Sequence, residues 1–225
     1  MTKASFMEAG ILVYSGFVGN LAARYCVDYS IYLIVHPFMS LSIHFYGDPI
    51  LRTPAAPIKS VTPDILKLAD EMIATMRVAE GVGLAAQQVG QALAICVVEV
   101  PVSYDTDEDG IRLNPELEMP LVLLNPVITG FSKKTDVHEE GCLSFPGIRG
   151  NIERPLDITL RYLDLQGKAH EIQVYDFTAR VVQHEVDHLN GVLFIDHMSV
   201  PKRMVLKKRL QRMKEETEEK LGIQG

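Results

Sequence analysis

Cysteine is scarce in this chain: Cys26, Cys96 and Cys142 are the three present. An odd, widely spread set implies no disulfide framework, so a reducing, cytoplasmic setting is expected. Excess positive charge is also missing, since Lys+Arg 22 against Asp+Glu 29 leaves a net charge of −7. A broad phosphate-neutralising surface, and with it nucleic-acid reading as the main task, is therefore disfavoured. No apolar run is long enough for a bilayer. The most apolar early stretch, Ala9 to Ala23, is uncharged but holds Ser15, Asn20 and three glycines and is too short to span. Neither a secretory signal nor a transit peptide can be read, because Lys3 is offset by Glu8 and Arg24 by Asp28. No internal repeat or low-complexity tract is present. What is there, 225 residues with 47% apolar and 23% charged, suffices for one globular domain with a filled core.

Residues 1–38 lack the caps and periodicity of the rest, whereas Met39 runs directly into patterned sequence. The expected organisation is an N-terminal extension of uncertain status over 1–38 and a catalytic domain over 39–225, with translation starting at Met39. Thr62-Pro63-Asp64 reads as an N-cap, an N1 proline and a first-turn acid. Ile65, Leu68, Ala69, Met72, Ile73 and Met76 follow at helical spacing. Ala92 to Val98 and Pro120 to Ile128 read as strands, and Ser103 to Glu118, acidic and turn-rich, as a solvated loop. Leu156 to Leu163 and Glu171 to Tyr175, joined by a turn at Gln166-Gly167, form a hairpin pattern. A helix capped by Asp176 or Thr178 ends at Asn190-Gly191, and a last helix runs from about Val200 to Leu221. The fold class expected is α+β, with mixed or antiparallel strands packed around a central HExxH helix and a C-terminal helix following.

That HExxH is His184-Glu185-Val186-Asp187-His188. Side chains four apart on a helix lie one turn above each other, so His184 and His188 can offer two imidazoles to one ion, with Glu185 beside the water such an ion binds. A catalytic metal usually takes three protein ligands. The metzincin extension fails, because Phe194 stands where its third histidine belongs. Glu215, Glu216, Glu218 and Glu219 are downstream candidates, though a charged helical tail explains them more simply. Upstream, Cys142 in Glu140-Gly141-Cys142-Leu143-Ser144 is the other candidate. A third stretch, Gly81-Val82-Gly83-Leu84-Ala85-Ala86-Gln87-Gln88, has small residues that permit close backbone approach before an amide able to donate to an oxyanion. By itself it reads equally as a tight helix-to-strand turn. His36, His44, His138, His170 and His197 read as structural or surface residues.

Taken in order, these three segments resemble the signatures GxGxAAxQ, EGCLS and QHExDH of the peptide deformylases, over roughly residues 44–222. The resemblance implies hydrolysis of the N-formyl group from the initiator methionine of nascent chains, releasing formate. It implies Cys142, His184 and His188 as ligands of one divalent ion, Fe(II) first, with Zn(II) or Ni(II) able to substitute. It implies Glu185 as general acid and base, and Gln88 with the Leu143 backbone N–H as oxyanion donors. Val82 and Gly83 are expected beside the substrate, Glu140 in support of the site and Arg149 on the peptide backbone. N-formylmethionyl peptides are the expected partners of a monomer. A transient ribosome contact is expected through the basic start of the last helix, which carries Lys202, Arg203, Lys207, Lys208, Arg209 and Arg212. Intact-mass measurement of the natively expressed protein is expected to give a chain beginning at Met39; a mass that includes residue 1 refutes that start.

Overall fold

The structure, a computed structural model, describes residues 40–223. The expectations about residues 1–38 and a start at Met39 lie outside the described residues.

Helix α1, Pro63–Val78, begins where the sequence placed it: the Thr62 side chain accepts from Ile65 N, and Pro63 occupies the first turn. Strands β1 (Gly83–Ala85), β2 (Ile95–Val98), β3 (Leu121–Phe131), β6 (Asp157–Leu163) and β7 (Ala169–Tyr175) form one sheet in that order. Strands β4 (Thr135–Gly141) and β5 (Arg149–Pro155) form a separate two-stranded sheet. Every ladder within the named strands is antiparallel, the second of the two pairings the sequence left open. Short loops suffice to join antiparallel neighbours, so no crossover helix is required.

The large sheet divides its side chains between two helices by the two-residue period of a strand. Leu84, Ile95, Val97 and Leu124 pack with Ala69, Met72 and Met76 of α1 on one face. Ala85, Cys96, Val98 and Leu123 pack on the other face with Ala179, Val182, Val186 and Leu189 of helix α2, Asp176–Leu189. Both faces are covered, which is why β2 is apolar at every position. Helix α2 starts without a side-chain cap. Its first residue, Asp176, has φ 51°, and Thr178 instead donates to Asp105, so neither residue is the cap the sequence suggested. The helix ends as expected, with Gly191 left-handed at φ 72°. Helix α3, Val200–Leu221, follows with all eight of its basic residues exposed, the six at its start among them.

Two local readings need correction. The segment 103–118 is not wholly solvated: Asp105 is 1% exposed, accepts from Asn114 Nδ2 and Arg112 Nε at 2.5 and 2.9 Å, and so pins the loop to the start of α2. The glycine-bearing stretch after α1 is not only a turn, because Gly83–Ala85 pairs with Cys96–Val98 as an edge strand. The β4–β5 hairpin carries no apolar alternation on β4, where five of seven residues are exposed, and was not legible. It leaves the sheet as a bent continuation of the β3–β6 pair, through Ser132 N to Asp157 O and Leu156 N to Lys134 O.

Candidate active site

Three elements meet above the face of the sheet that α2 covers. Helix α2 offers His184 and His188, whose ring centroids lie 5.0 Å apart as their spacing of four dictates. The end of β4 delivers Cys142, with its Sγ 3.2 Å from His188 Nε2. One ligand atom from each of Cys142, His184 and His188 falls within 4.8 Å of the others, the one such cluster found among the described residues. Glu215, Glu216, Glu218 and Glu219 sit on α3 outside it.

His184 is oriented from behind. Its Nδ1 donates to Glu140 Oε2 at 3.0 Å, which leaves Nε2 for the side facing Cys142. Glu140 is itself buried and accepts from Arg154 Nε and Nη2 at 2.6 and 3.0 Å and from Arg180 Nη1 at 2.7 Å. Burial would push this carboxyl up; the hydrogen bonds from His184 and Arg154 and their charges override it and hold it well below the usual carboxylate range. His188 Nδ1, by contrast, is buried without a hydrogen-bond partner. A thiol and two imidazoles, buried or half-buried and converging with one imidazole fixed by a carboxylate, suit a divalent transition-metal ion.

Glu185 lies beside this cluster, 3% exposed, with Oε2 unpartnered. Burial pushes its carboxyl up to about 7, against the opposing charges of His184 and Arg154. It rests on β1: a Cβ on Gly83 would stand 2.3 Å from Glu185 Oε1, so any larger residue there has to displace the carboxylate. Beyond β1 the chain tightens into a single 3-10 turn, Ala86–Val89, closed by Gly90 at φ 79°. That turn aims Gln88. Its Oε1 accepts from Ala85 N at 2.8 Å, so the amide is fixed with Nε2 directed at Cys142 Sγ and Ser144 Oγ, both at 3.4 Å. The Leu143 N–H enters no backbone hydrogen bond among the described residues, while its side chain fills the space a Cβ on Gly81 would need.

A groove of about 530 Å³ opens onto these groups. Val82, Gly83, Glu140, Leu143 and Arg149 line it with Phe177, Val181 and His184, so every residue singled out for the substrate borders the same space. Arg149 is mostly exposed and 3.9 Å from Glu139. His138 faces outward from β4 and does not line it. His44, His170 and His197 each pair with an aspartate, Asp48, Asp164 and Asp187 respectively, in keeping with structural roles. Sequence reasoning missed Arg154, Arg180 and Asp187. No local pattern announces the two arginines, whose partners lie 14 to 44 residues away, and Asp187, although it is the aspartate of QHExDH, receives no role from the sequence.

An antiparallel α+β fold that brings a thiol and two helix-borne imidazoles to one point, with a carboxylate beside them and a groove in front, defines a metal-dependent hydrolase. The comparisons narrow that class. The family described as polypeptide deformylase matches residues 40–204. A peptide deformylase of Opitutus terrae is 46% identical over 173 residues, covering 75% of this chain and 90% of that protein. The crystal structure of peptide deformylase from Thermotoga maritima superposes with a TM-score of 0.63 at 38% identity, covering 72% of this chain and 99% of that one. That from Ehrlichia chaffeensis gives 0.70 at 37% identity, covering 80% and 99%. This chain belongs to the polypeptide deformylase family.

Gly83→Ala is expected to displace Glu185 by about 1 Å and so lower kcat/KM by about 100-fold on a formylated peptide. Metal content should stay at the wild-type level. A variant with unchanged kinetics would show that the Gly83 contact is not what places the carboxylate.

Proposed function

We propose that this chain removes the N-formyl group from the initiator methionine of newly made polypeptides, releasing formate. The observation that carries the reading is the convergence of Cys142, His184 and His188 with Glu185 and Gln88 at one end of the groove, in a member of this family. Cys142 Sγ and one nitrogen each of His184 and His188 would hold a single divalent ion, ferrous iron first, with zinc or nickel able to take its place. Bound there, the ion supplies Lewis acidity, which lowers the pKa of water and polarises a carbonyl.

The chain's own groups then have distinct tasks. Glu185 takes a proton from the water that adds to the formyl carbon. Gln88 Nε2–H and the Leu143 N–H donate to the oxygen as it gains negative charge, and the Gln88 amide is held in place by Ala85 N before the reaction begins. Glu185 next returns the proton to the amide nitrogen; the C–N bond breaks, and formate and a free amine leave. A carboxyl held near neutrality by burial is suited to both transfers. Gly81 and Gly83 give up their side-chain space to Leu143 and Glu185, which keeps the site beside Gln88 narrow, in keeping with a one-carbon acyl group. Val82, Phe177 and Val181 offer an apolar wall to the methionine side chain, and Arg149 at the rim is placed for the peptide backbone.

Protein purified anaerobically should release formate from formyl-Met-Ala-Ser. Glu185→Ala should cut the rate by about 100-fold or more while retaining its metal, and Cys142→Ala should lose the metal. No release by fully metallated wild type, or metal retained by Cys142→Ala, would overturn the reading. For the basic start of α3 the proposal is a transient, salt-dependent ribosome contact near the emerging chain. Truncation after Val200 should abolish ribosome pelleting at low salt; unchanged pelleting would reject that contact.

A further inference from the structure

Arg154 has no place in the reaction described above, yet it is 4% exposed and makes three charged hydrogen bonds. Its Nε and Nη2 grip both oxygens of Glu140, the carboxylate that accepts His184 Nδ1–H. Its remaining nitrogen, Nη1, donates to Asp187 Oδ2 at 2.8 Å, and Asp187 immediately precedes His188 in α2. One planar side chain from β5 thus ties the hairpin that ends at Cys142 to the helix turn bearing His184 and to the turn bearing His188. His197 Nε2, 2.9 Å from the same Asp187 oxygen, holds that carboxylate from the far side.

We infer that Arg154 is a positioning residue for the metal site, setting the mutual placement of His184, His188 and Cys142 through Glu140 and Asp187. The inference rests on the ion-binding reading of those three residues. Arg180 differs in an instructive way. It also donates to Glu140, but its other partners are Asp136 and the Ile152 carbonyl, so it braces the hairpin without reaching Asp187. Lysine cannot replace the fork of Arg154, because a single ammonium cannot serve both Glu140 oxygens and Asp187 in the same geometry. Partners that orient metal-binding histidines typically change ion affinity about 10- to 100-fold when lost.

The test uses the full chain and Zn(II) affinity measured by chelator competition, the absorption of the Co(II)-loaded protein, and the Tm of the metal-free protein. Arg154→Lys and Arg154→Met should each weaken Zn(II) binding by about tenfold or more and shift the Co(II) bands. Asp187→Asn should weaken it too, and adding it to Arg154→Met should cost no more than about a further twofold, because the two side chains act as one unit. Met72→Ala, a fully buried change in α1 away from the site, should lower Tm and leave Zn(II) affinity unaltered. Arg154 variants that lower Tm while keeping wild-type affinity and Co(II) bands would overturn the inference, as would an equal loss of affinity in Met72→Ala. Should Arg154→Met fail to fold, Arg154→Lys with unchanged affinity is sufficient to refute it. Absence of one-to-one Zn(II) binding by wild type would defeat the ion-binding reading itself, and the inference with it.

Discussion

Glu140 places a full negative charge in the interior, and a buried ion is tolerated only when its neighbours replace the water it has lost. Here two guanidinium groups and an imidazole do so, from β5, from α2 and from the helix face that carries the histidine pair. Removing one partner of such a set typically costs about 3–5 kcal/mol, because the remaining charges are left uncompensated. The carboxylate stands two residues before Cys142. The group that satisfies the hairpin electrostatically therefore also fixes where the thiol meets the helix, and structure and site share a single constraint.

Close backbone approach is the second requirement, and it explains why small residues cluster around the reacting groups. Gly83 lets Glu185 lie against β1, Gly81 admits the Leu143 side chain, and Gly150 makes way for Met198 beneath the hairpin. Each missing side chain is occupied by a neighbour, so none of these glycines is free to become alanine without displacing something. In the first two cases the displaced atoms belong to Glu185 and to Leu143, the residues proposed to move the proton and to offer an N–H to the oxyanion. A narrow site follows from the same packing, in keeping with a substrate group as small as formyl.

Helix α1 was legible because Thr62-Pro63-Asp64 and the following apolar period are local signals, and α2 because two histidines at i and i+4 need only one turn of helix to meet. The β6–β7 hairpin was legible for the same reason. What escaped was non-local. Strand β4 has charged and polar residues on both faces, since only Glu140 at its end turns inward, so no alternation marks it. Asp105 looks like any acid in an acidic loop until Arg112, Asn114 and Thr178 close around it. Arg154 is separated by 33 residues from Asp187, and neither its charge nor its neighbours in sequence distinguish it from a surface arginine. His184 and His188 could be read as ligands from HExxH alone, whereas Cys142 stands out from an ordinary thiol only because three short motifs occur in a fixed order.

The hairpin's attachment shows why side-chain ties carry so much weight. A two-stranded ribbon is marginal alone, and β4–β5 shares no ladder with the five-stranded sheet. Its strands join the body by backbone hydrogen bonds where they bend away from β3 and β6, and its connecting loop does so where Ser144 O accepts from Tyr46 N. Apolar packing of Ile148 and Ile152 against Phe194, Ile195 and Met198 supports its tip and flank, but apolar contact is non-directional and tolerates small sliding motions. Charged hydrogen bonds do not: the bidentate grip of Arg154 on Glu140 fixes both angle and register. Precision at Cys142 thus comes from ion pairs and stability from the apolar cluster, and a substitution that spares the cluster can still disorganise the site.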